Sequence, residues 1–384
     1  MFQSSYIELS ESAVQNNIDF IKSILGKGVQ FSSVVKGNAY GHGIAFYCPL
    51  AYKAGIRHFS VFSAQEALDV SIALKGLDYE LMIMGEIHNN ELPWAIQNGV
   101  QFYIFELDRL NTAIQLSKKL KIKAQIHVEI ETGMNRTGFP SKDLSTLFRV
   151  LEQNVGQLEI IGLCTHFAGA ESIANYKRIK DQYNRFRKLE KVVNEMTWMN
   201  PIKHLASSSA AVRYPNTQLD MVRIGILQYG FFPTQEILVH YLSRKKGNVD
   251  KLQRILSWKT HVMDVKTVKA GEFVGYGTSY FTHQLTKIAL IPVGYSFGYS
   301  RSLGNQGKVL IRGIRFDVIG TVNMSMLAVD ISAADSIDKG DEVVLIGNQG
   351  EGEITVSSFS DYSNQINYEL LTRLPQNTPR IIVK

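Results

Sequence analysis

Cysteine is scarce in this sequence, with only Cys48 and Cys164 in 384 residues. They lie far apart and neither belongs to a Cys-x-x-Cys pair, so we expect neither a disulfide framework nor a zinc site. Long apolar runs are also missing, because no segment approaches the roughly 20 apolar residues that a membrane span requires. The N-terminal segment has no apolar stretch after a basic start, unlike a secretory signal. These absences predict a cytoplasmic protein without metal and without membrane association.

Nucleotide-binding signatures are absent too. No Gly-x-Gly-x-x-Gly loop follows a strand-like run and no Walker sequence occurs, which leaves dinucleotide and nucleoside-triphosphate binding without support. The formal net charge is +6, but Lys and Arg are spread along the chain and no nucleic-acid motif accompanies them. We therefore predict no nucleic-acid partner, whereas a mildly positive charge suits small anionic ligands.

Residues 1–240 alternate apolar strand-like runs with helical stretches. A first helix is predicted at Glu11–Leu25 with Ser10 as its cap, and the clearest later helix at Asn175–Met196. The predicted strands are Val29–Val35, His58–Phe62, Leu81–Met84, Gln101–Phe105, Lys123–Ile130, Leu158–Thr165, Ile202–Ala206 and Met221–Leu227. About eight strands, each followed by a helical link, predict an α/β (β/α)8 barrel of the TIM type, with a doubly wound open sheet as the alternative.

Residues 241–384 have a different texture. Glycine is frequent, long helical patterns are few, and short strand-like runs dominate. These runs are His261–Val268, Lys308–Ile311, Phe316–Val322, Met326–Asp330 and Glu342–Ile346. The pattern predicts a second, mostly β domain at the C-terminal end, and a chain of this length can hold two domains.

Several polar residues accompany the predicted barrel strands. Lys36, Glu129 and His166 end the first, fifth and sixth strands, Ser208 follows the seventh, and Arg223 lies in the eighth. Each one alone has an ordinary explanation as a solvated, capping or ion-paired side chain. Together they converge on the end of the barrel where active sites form. Lys36 is also followed by small residues, so a cofactor can approach closely, and a desolvated lysine there can form an imine.

Six short segments follow one another in a characteristic order. They are Val34–Gly43, Thr132–Arg136, Thr165–Ala168, Met221–Ile226, Gly275–Gly277 and Ile366–Glu369. In this order they resemble the alanine racemase family of fold-type III pyridoxal-phosphate enzymes, and the resemblance extends along nearly the whole chain. An ordered set of this kind is far more specific than any single motif.

The resemblance implies a two-base racemisation on pyridoxal 5'-phosphate. Lys36 would hold the cofactor as an aldimine and act as the base on the D-substrate face, and Tyr276 of the partner subunit would act on the L face. His166 would support Tyr276, since a phenol has an ordinary pKa of about 10 and needs a lowered pKa to act as a base. The implied assembly is a head-to-tail homodimer with shared active sites. The implied reaction interconverts L-alanine and D-alanine. In a bacterium, this reaction would supply D-alanine for the cell wall.

The resemblance also implies the contacts of the cofactor. Arg223, which stays protonated, would face the pyridine nitrogen and discourage its protonation, which favours racemisation over transamination. Hydroxyls and backbone N–H groups would donate to the phosphate. The residues implied at the phosphate are Tyr40, Ser208, Gly225, Ile226 and Tyr368.

Substrate contacts are implied in the same way. Arg136 would bind the substrate carboxylate through its paired donors. The backbone N–H of Met324, from the partner subunit, would assist, and Tyr295 and Tyr368 would narrow the access to the site.

A few residues depart from the family pattern. Glu129 stands where many members have a lysine that becomes carbamylated, and we expect its carboxylate to supply directly the negative charge that orients Arg136. The milder departures are Glu131 for Asp and Ser207 for Asn. The remaining ones bear on substrate specificity more than on the class of reaction, and they are Phe297, Asn323 and Ser325.

Other functions remain open at this point. A racemase for serine or for a broader set of amino acids would use the same residues. A fold-type III decarboxylase would require a Glu-Pro-Gly-Arg phosphate element and a Cys-Asp pair near the C-terminal end, and the sequence has neither. A non-catalytic carrier of pyridoxal phosphate would resemble the barrel alone. Metal-dependent relatives of the fold would need a late metal pair, but the last histidine is His283.

Overall fold

Parallel strands with connecting helices build one part of the chain, and mostly antiparallel strands build the other. The computed structural model describes residues 4–244, 247, 249–334, 336–357, 359 and 367–384. The barrel unit consists of Val14–Ala39 and Tyr47–Gln253, and the sheet unit of Met1–Ala13, Tyr40–Phe46 and Arg254–Lys384.

The strands are numbered in chain order. They are β1 (Ser5–Ser10), β2 (Gln30–Val34), β3 (His58–Ser63), β4 (Glu80–Glu86), β5 (Gln101–Ile104), β6 (Ala124–Glu129), β7 (Leu158–Cys164), β8 (Ile202–His204), β9 (Met221–Ile224), β10 (Leu256–His261), β11 (Asp264–Val268), β12 (Thr286–Ile291), β13 (Lys308–Ile311), β14 (Ile314–Ile319), β15 (Leu327–Asp330), β16 (Glu342–Gln349), β17 (Gly352–Ile354) and β18 (Arg380–Val383).

The right-handed α-helices are numbered in the same way. They are α1 (Glu11–Ile24), α2 (Ile44–Lys53), α3 (Ala64–Ala73), α4 (Leu92–Gln97), α5 (Leu107–Leu120), α6 (Leu144–Gln153), α7 (Tyr176–Asn194), α8 (Ser208–Arg213), α9 (Gln235–Arg244) and α10 (Asn367–Thr372). Ser10 caps α1 as expected, because its Oγ accepts from the N–H of Ala13 at 3.2 Å. Within the described ranges, no helix combines the length and the apolar character that crossing a membrane requires.

The barrel unit holds eight parallel strands in the spatial order β8-β7-β6-β5-β4-β3-β2-β9. Strands buried on both faces are nearly continuous apolar runs, which is why the sequence pattern located them. The ring closes through a parallel bridge between Ser207 and Arg223, where the Arg223 N–H donates to the carbonyl of Ala206 at 3.0 Å. The predicted barrel is confirmed, and it brings the carboxyl ends of all eight strands to one end.

The sheet unit has the order β11-β12-β15-β14-β13-β16-β10-β1-β18, with β17 beside β16. Strand β1 pairs antiparallel with β10 and parallel with β18, and its inward side chains Ile7 and Leu9 are fully buried. The predicted C-terminal β domain is confirmed. The first strand of the chain also belongs to this sheet, which the sequence pattern did not predict, because its partners lie at the far end of the sequence.

Candidate active site

Four of the predicted site residues lie at the carboxyl ends of barrel strands. Lys36 comes two residues after β2, Glu129 is the last residue of β6, His166 comes two residues after β7, and Arg223 lies in β9. The strands are parallel neighbours around one ring, so these side chains share one end of the barrel. The structure therefore brings together, within the barrel unit, the amine, the imidazole and the guanidinium that the sequence indicated.

Lys36 opens a turn of unusual handedness. Gly37, Asn38 and Ala39 have φ/ψ values of 62°/43°, 52°/52° and 54°/50°, and Tyr40 continues with φ of 50°. A left-handed conformation costs about 1–2 kcal/mol for each residue that has a Cβ, so the surrounding structure must hold the turn in place. Two bonds do so inside the barrel unit. Ala39 N–H donates to the Val35 carbonyl at 2.7 Å, and Gly37 N–H donates to Glu66 Oε1 at 2.6 Å.

The pKa of the Lys36 amine is lowered by its surroundings. Lys36 itself is solvent-exposed in the chain taken alone. Even so, partial burial of the amine lowers its pKa, the positive charges of Arg136 and Arg223 lower it further, and the carboxylate of Glu66 opposes them. A lysine with a lowered pKa is available as a nucleophile or a base closer to neutral pH than an ordinary lysine.

Arg223 is 5% exposed and is held almost entirely by neutral acceptors. Its Nη2 donates to the carbonyls of Thr165 at 3.0 Å and Leu205 at 3.1 Å and lies 3.3 Å from Nδ1 of His166. Its Nη1 donates to the His204 carbonyl at 2.9 Å and to Nδ1 of the same residue. Since Nη1 and Nη2 make all of these bonds, the Nε–H is the donor left for a ligand.

A chain of buried polar groups continues from Arg223 into the barrel. Nε2 of His204 lies 2.9 Å from Nδ1 of His127, and Nε2 of His127 lies 2.8 Å from Oε1 of Gln101. An arginine only donates and a carbonyl oxygen only accepts, so both imidazoles are neutral and carry their protons on Nε2. Burial and the charge of Arg223 hold the pKa of each well below 6.5. The neutral chain orients the guanidinium without a carboxylate bound to it.

Glu129 and Arg136 supply the opposite charges at this end. Glu129 is 5% exposed, and burial raises its pKa, although a hydrogen bond with Thr137 and the charges of Arg223 and Arg136 act in the other direction. Arg136 is exposed and, among the described residues, forms no hydrogen bond or ion pair. The arrangement leaves its donors free for an anionic ligand, with the Glu129 carboxylate close enough to interact with it electrostatically.

One face of α7 holds the loop that carries Arg136. Arg185 donates to the Thr132 carbonyl at 2.8 Å, and Arg178 donates to the Gly133 carbonyl through both Nε and Nη2 at 3.1 and 2.9 Å. Glu131 closes the loop from inside, because its carboxylate accepts from the N–H groups of Gly133 and of Asn135. The predicted carboxylate-binding arginine therefore projects from a loop whose backbone is fixed at several points.

Gln182 lies between these arginines on α7 and is 1% exposed. Its Nε2 donates to the His166 carbonyl at 2.9 Å and to Thr132 Oγ1 at 3.3 Å, while its Oε1 accepts from Ala168 N–H at 2.8 Å. One amide thus joins the strand end that carries His166 to the loop that carries Arg136. Sequence reasoning missed this residue, because a glutamine on a predominantly charged helix gives no signal of burial.

Ser208, Gly225 and Ile226 form the predicted phosphate region of the barrel unit. Ser208 is the first residue of α8, it is buried, and its Oγ accepts from Gly225 N–H at 3.0 Å. Gly225 in turn precedes a short 3-10 helix that begins at Ile226. Two element starts therefore meet side by side and offer hydroxyl and backbone N–H donors, to which no carboxylate of the described residues is bonded.

The remaining predicted residues belong to the sheet unit. Tyr276 is 75% exposed between Gly275 and Gly277, whose φ values are 78° and 73°, and its carbonyl accepts from Thr321 Oγ1 at 3.4 Å. Positive φ on both sides explains why glycine flanks this tyrosine. The side chain projects from a tight turn with most of its surface uncovered.

Tyr295 and Met324 lie on two segments that are bonded to each other. Tyr295 N–H donates to the Asn323 carbonyl at 3.0 Å. The Met324 carbonyl accepts two bonds from Ser296, one from its N–H at 3.0 Å and one from the Ser296 Oγ at 2.7 Å. A Cβ on Gly294 would lie 2.1 Å from the Asn323 oxygen, so only glycine permits this approach. The structure thus places Tyr295 and Met324 on adjacent loops, both exposed.

Tyr40 and Tyr368 also fall together within the sheet unit. Their rings pack edge to face with centroids 6.3 Å apart. Burial and the neighbouring phenol raise the pKa of Tyr40, so its hydroxyl stays protonated and can donate. In the described part of the chain, no group of three or more His, Cys, Asp or Glu side chains is arranged to hold a metal ion.

Two family models match the chain. The model described as alanine racemase, N-terminal domain, matches residues 9–233, and the model described as alanine racemase, C-terminal domain, matches residues 255–382. Together they cover the barrel and most of the predicted β domain.

Full-length relatives agree with this assignment. An alanine racemase of Leptospira interrogans is 34% identical over 99% of this chain and 96% of its own, and one of Methanococcus maripaludis is 32% identical over 98% of each. Among solved structures, the alanine racemase of Bacillus anthracis with bound L-Ala-P superposes with a TM-score of 0.90 and 30% identity, covering 100% of this chain and 96% of the other.

Proposed function

We propose that this chain, which belongs to the alanine racemase family, interconverts L-alanine and D-alanine with pyridoxal 5'-phosphate as its cofactor. The observation that carries the proposal is the convergence at one barrel end of an amine with a lowered pKa, Lys36, and two guanidinium groups, Arg136 and Arg223, that retain donors for a ligand. An amine, a carboxylate receptor and a donor for a ring nitrogen are what an amino acid bound to this cofactor requires.

The donor set in the barrel unit fits the cofactor. Lys36 would hold its aldehyde carbon covalently through the amine. Ser208 and the backbone N–H of Ile226 would donate to its phosphate, and within the described ranges no carboxylate is bonded there to repel an anion. The unused Nε–H of Arg223 would face the pyridine nitrogen, and a permanently protonated guanidinium there keeps that nitrogen unprotonated. We infer that Tyr40 and Tyr368 complete the phosphate contacts.

Bound pyridoxal phosphate withdraws electron density from Cα of the attached amino acid, which makes the Cα proton acidic. The residues of this chain then move that proton. Lys36, released when the substrate amine takes its place, would remove or return the proton on the D face. Tyr276 of the partner subunit would do the same on the L face, because inversion needs one acid–base group on each side.

His166 would assist Tyr276. Its Nδ1 faces Nη2 of Arg223, so the neutral ring carries its proton on Nε2. An Nε2–H that donates to the phenol oxygen favours the phenolate and lowers the pKa of the phenol. The arrangement of Arg223 and His166 therefore supports the role that the sequence implied for His166.

Substrate binding would rest on Arg136, which has no partner in the described residues and projects from a fixed loop. Its fork of donors suits a carboxylate. The carboxylate of Glu129 would orient this arginine in its ionised form. The N–H of Met324 from the partner subunit would assist, and Tyr295 would limit the side chains that enter.

We further propose a head-to-tail homodimer located in the cytoplasm, with one active site shared between each barrel and the partner's sheet unit. The large uncovered surfaces of Tyr276 and Met324, which are 75% and 59% exposed, support this assembly, because exposed aromatic and thioether side chains at one place indicate an interaction surface. The substrates are small amino acids, and we propose no nucleic-acid or membrane partner.

The test is to incubate the cofactor-loaded protein with a panel of L-amino acids and measure the D-enantiomers by chiral chromatography. We expect D-alanine as the dominant product, and borohydride reduction should leave the cofactor attached to the peptide that contains Lys36. Lys36→Ala should abolish both results, whereas Lys53→Ala, a control on the exposed end of α2, should change neither. Dominant D-serine would move the specificity, and a loaded Lys36 without any racemisation would overturn the proposal.

A further inference from the structure

Glu66 uses its carboxylate in a way that its position on α3 does not require. Ser63 caps this helix, and its Oγ accepts from Glu66 N–H at 3.4 Å. A glutamate three residues after such a cap ordinarily bonds back to the N–H of the capping residue. Here its Oε2 accepts from Phe62 N–H at 2.9 Å instead, and its Oε1 accepts from Gly37 N–H at 2.6 Å, in the turn after β2.

We propose that Glu66 is a positioning residue of the racemase reaction, which fixes the turn that carries Lys36 by tying its first N–H to the end of β3. The inference rests on the proposed function, because the lysine it positions is the one assigned to the cofactor.

The register of the two strands shows what this carboxylate replaces. Val35 N–H donates to the Ser60 carbonyl at 2.8 Å, the last bond of the β2–β3 ladder. A parallel ladder would continue from Gly37 N–H to the Phe62 carbonyl. The left-handed turn ends the ladder at that point, and the Glu66 side chain takes the Gly37 N–H with one oxygen and the Phe62 N–H with the other. The ends of β2 and β3 therefore stay connected through Glu66, although the backbone after β2 adopts a left-handed conformation.

The same carboxylate also interacts electrostatically with the Lys36 amine. Of the charged groups that act on this amine, Arg136 comes from the loop after β6 and Arg223 from β9, and both lower the pKa of Lys36. His166, after β7, is the neutral titratable group on the same side, and Lys36 contributes to its low pKa. Glu66 is the acidic member of this set and raises the pKa of Lys36. Removing its charge should therefore lower the pKa of Lys36 further.

A role as an ordinary helix cap is the competing explanation, and the barrel contains a matched control for it. Glu106 precedes α5 at the end of β5 and also accepts from two backbone N–H groups, those of Asp108 at 2.6 Å and Arg109 at 2.8 Å. Glu106→Gln removes the same kind of charge-assisted bonds from a strand–helix junction that carries no lysine turn.

The test compares the full-length wild type with Glu66→Gln, Glu66→Asp and Glu106→Gln. The readouts are the dissociation constant for pyridoxal phosphate, the pKa of Lys36 in cofactor-free protein from competitive acetylation and peptide mass spectrometry, and the thermal midpoint. We expect Glu66→Gln to weaken cofactor binding by about tenfold or more and to lower the pKa of Lys36. Glu66→Asp keeps the charge but not the reach, so it should weaken binding and leave that pKa nearer the wild-type value.

Glu106→Gln should lower the thermal midpoint and leave Lys36 and cofactor binding unchanged. If Glu66→Gln behaved like Glu106→Gln in all three readouts, Glu66 would be a helix cap only. If Glu66→Gln failed to fold, wild-type cofactor affinity in Glu66→Asp would overturn the proposal.

Hydrogen exchange of the Gly37 amide tests the bond to Glu66 directly in the wild type. Gly37 is exposed, so rapid exchange of its amide would show that Glu66 does not hold it. A wild type that never attaches the cofactor to Lys36 would contradict the proposed function, while the exchange and acetylation results would still report on Glu66.

Discussion

Nη2 of Arg223 lies 3.3 Å from Nδ1 of His166. Because arginine only donates, this nitrogen accepts, and the neutral ring carries its proton on Nε2. Burial first, and then the charges of Arg223, Arg136 and Lys36, hold the pKa of His166 well below 6.5. The ring is therefore a fixed neutral donor over the pH range in which an ordinary histidine changes its charge.

The protonation of the His166 ring should not change across the neutral pH range. Between about pH 5.5 and pH 8, the nitrogen resonances of His166 in isotope-labelled protein should remain those of a neutral ring protonated on Nε2. A His166→Gln variant assigns the signals. Arg223→Leu removes the nearest positive charge and should raise the pKa of His166. A midpoint near 6.5 in the wild type, or a proton on Nδ1, would contradict the geometry on which the role of His166 depends.

Glu129→Gln should separate stability from substrate binding. Folding raises the pKa of Glu129 above its ordinary value of 4.5. At pH values between 4.5 and the folded-state pKa, the unfolded state therefore binds fewer protons than the folded state. The stabilisation that the acid form provides is lost as the pH rises through this range. The variant should therefore unfold at a higher denaturant concentration than the wild type at about pH 8, and the two should converge below pH 4.5.

If Glu129 orients Arg136 as proposed, the KM of Glu129→Gln for alanine should rise by about tenfold, because Arg136 would lose that anion. Glu152→Gln, on the exposed face of α6, is the control for loss of one charge. An unchanged KM would show that Glu129 does not act on Arg136.

Gln182→Glu is predicted to damage both the fold and the site. A carboxylate oxygen would replace the amide that donates to the His166 carbonyl and to Thr132 Oγ1, in a place that is 1% exposed. We expect the free energy of unfolding to fall by about 3 kcal/mol and the inhibition constant of propionate, a simple carboxylate, to rise, because the Arg136 loop loses an anchor.

Gln153→Glu, at the exposed end of α6, is the matched control for the Gln182 variant. Denaturant unfolding and propionate inhibition measure the two effects separately. Equal results for the two substitutions would mean that Gln182 does not couple the loop to the strand.

The sequence predicted the barrel because buried parallel strands have a local signature. The strands around Phe31 and Phe102 are buried on almost every residue, and the residues that follow them must meet at one end of a ring. Lys36, His166 and Arg223 were found by this reasoning together with their motif context. His127 and His204 could also have been noticed, since a polar side chain within a buried strand needs a hydrogen-bond partner.

Other features depend on contacts that no local pattern encodes. Strand β1 pairs with β10 and β18, which both lie in the last third of the sequence. Gln182 and Glu66 look like solvated helix residues, and only the fold shows that the first bridges two site segments and the second holds the Lys36 turn. Gly37 and Asn38 are residues that adopt a left-handed conformation readily, but Ala39 and Tyr40 are not, so the sequence pattern did not predict the whole turn.

Tyr276→Phe should separate the two faces of the reaction. The equilibrium constant of a racemisation is one, so kcat/KM has the same value in both directions and cannot tell the bases apart. Isotope exchange can. In deuterated water the variant should racemise alanine at least about a hundredfold more slowly, while D-alanine continues to exchange its α-hydrogen through Lys36 and L-alanine does not. Exchange of L-alanine at the wild-type rate would remove Tyr276 from the reaction.

Mixed dimers test whether each site takes Lys36 from one subunit and Tyr276 from the other. Lys36→Ala and Tyr276→Phe should each be inactive as homodimers. In a mixed dimer with shared sites, one site carries both substitutions and the other carries none. Random exchange of equal amounts should therefore restore about a quarter of the wild-type rate. If Lys36 and Tyr276 of one chain served the same site, every site in the mixture would keep one substitution and no activity would return. Native mass spectrometry, with one of the two variants isotope-labelled, shows whether the subunits have exchanged, so an inactive mixture of exchanged dimers would contradict the shared site itself.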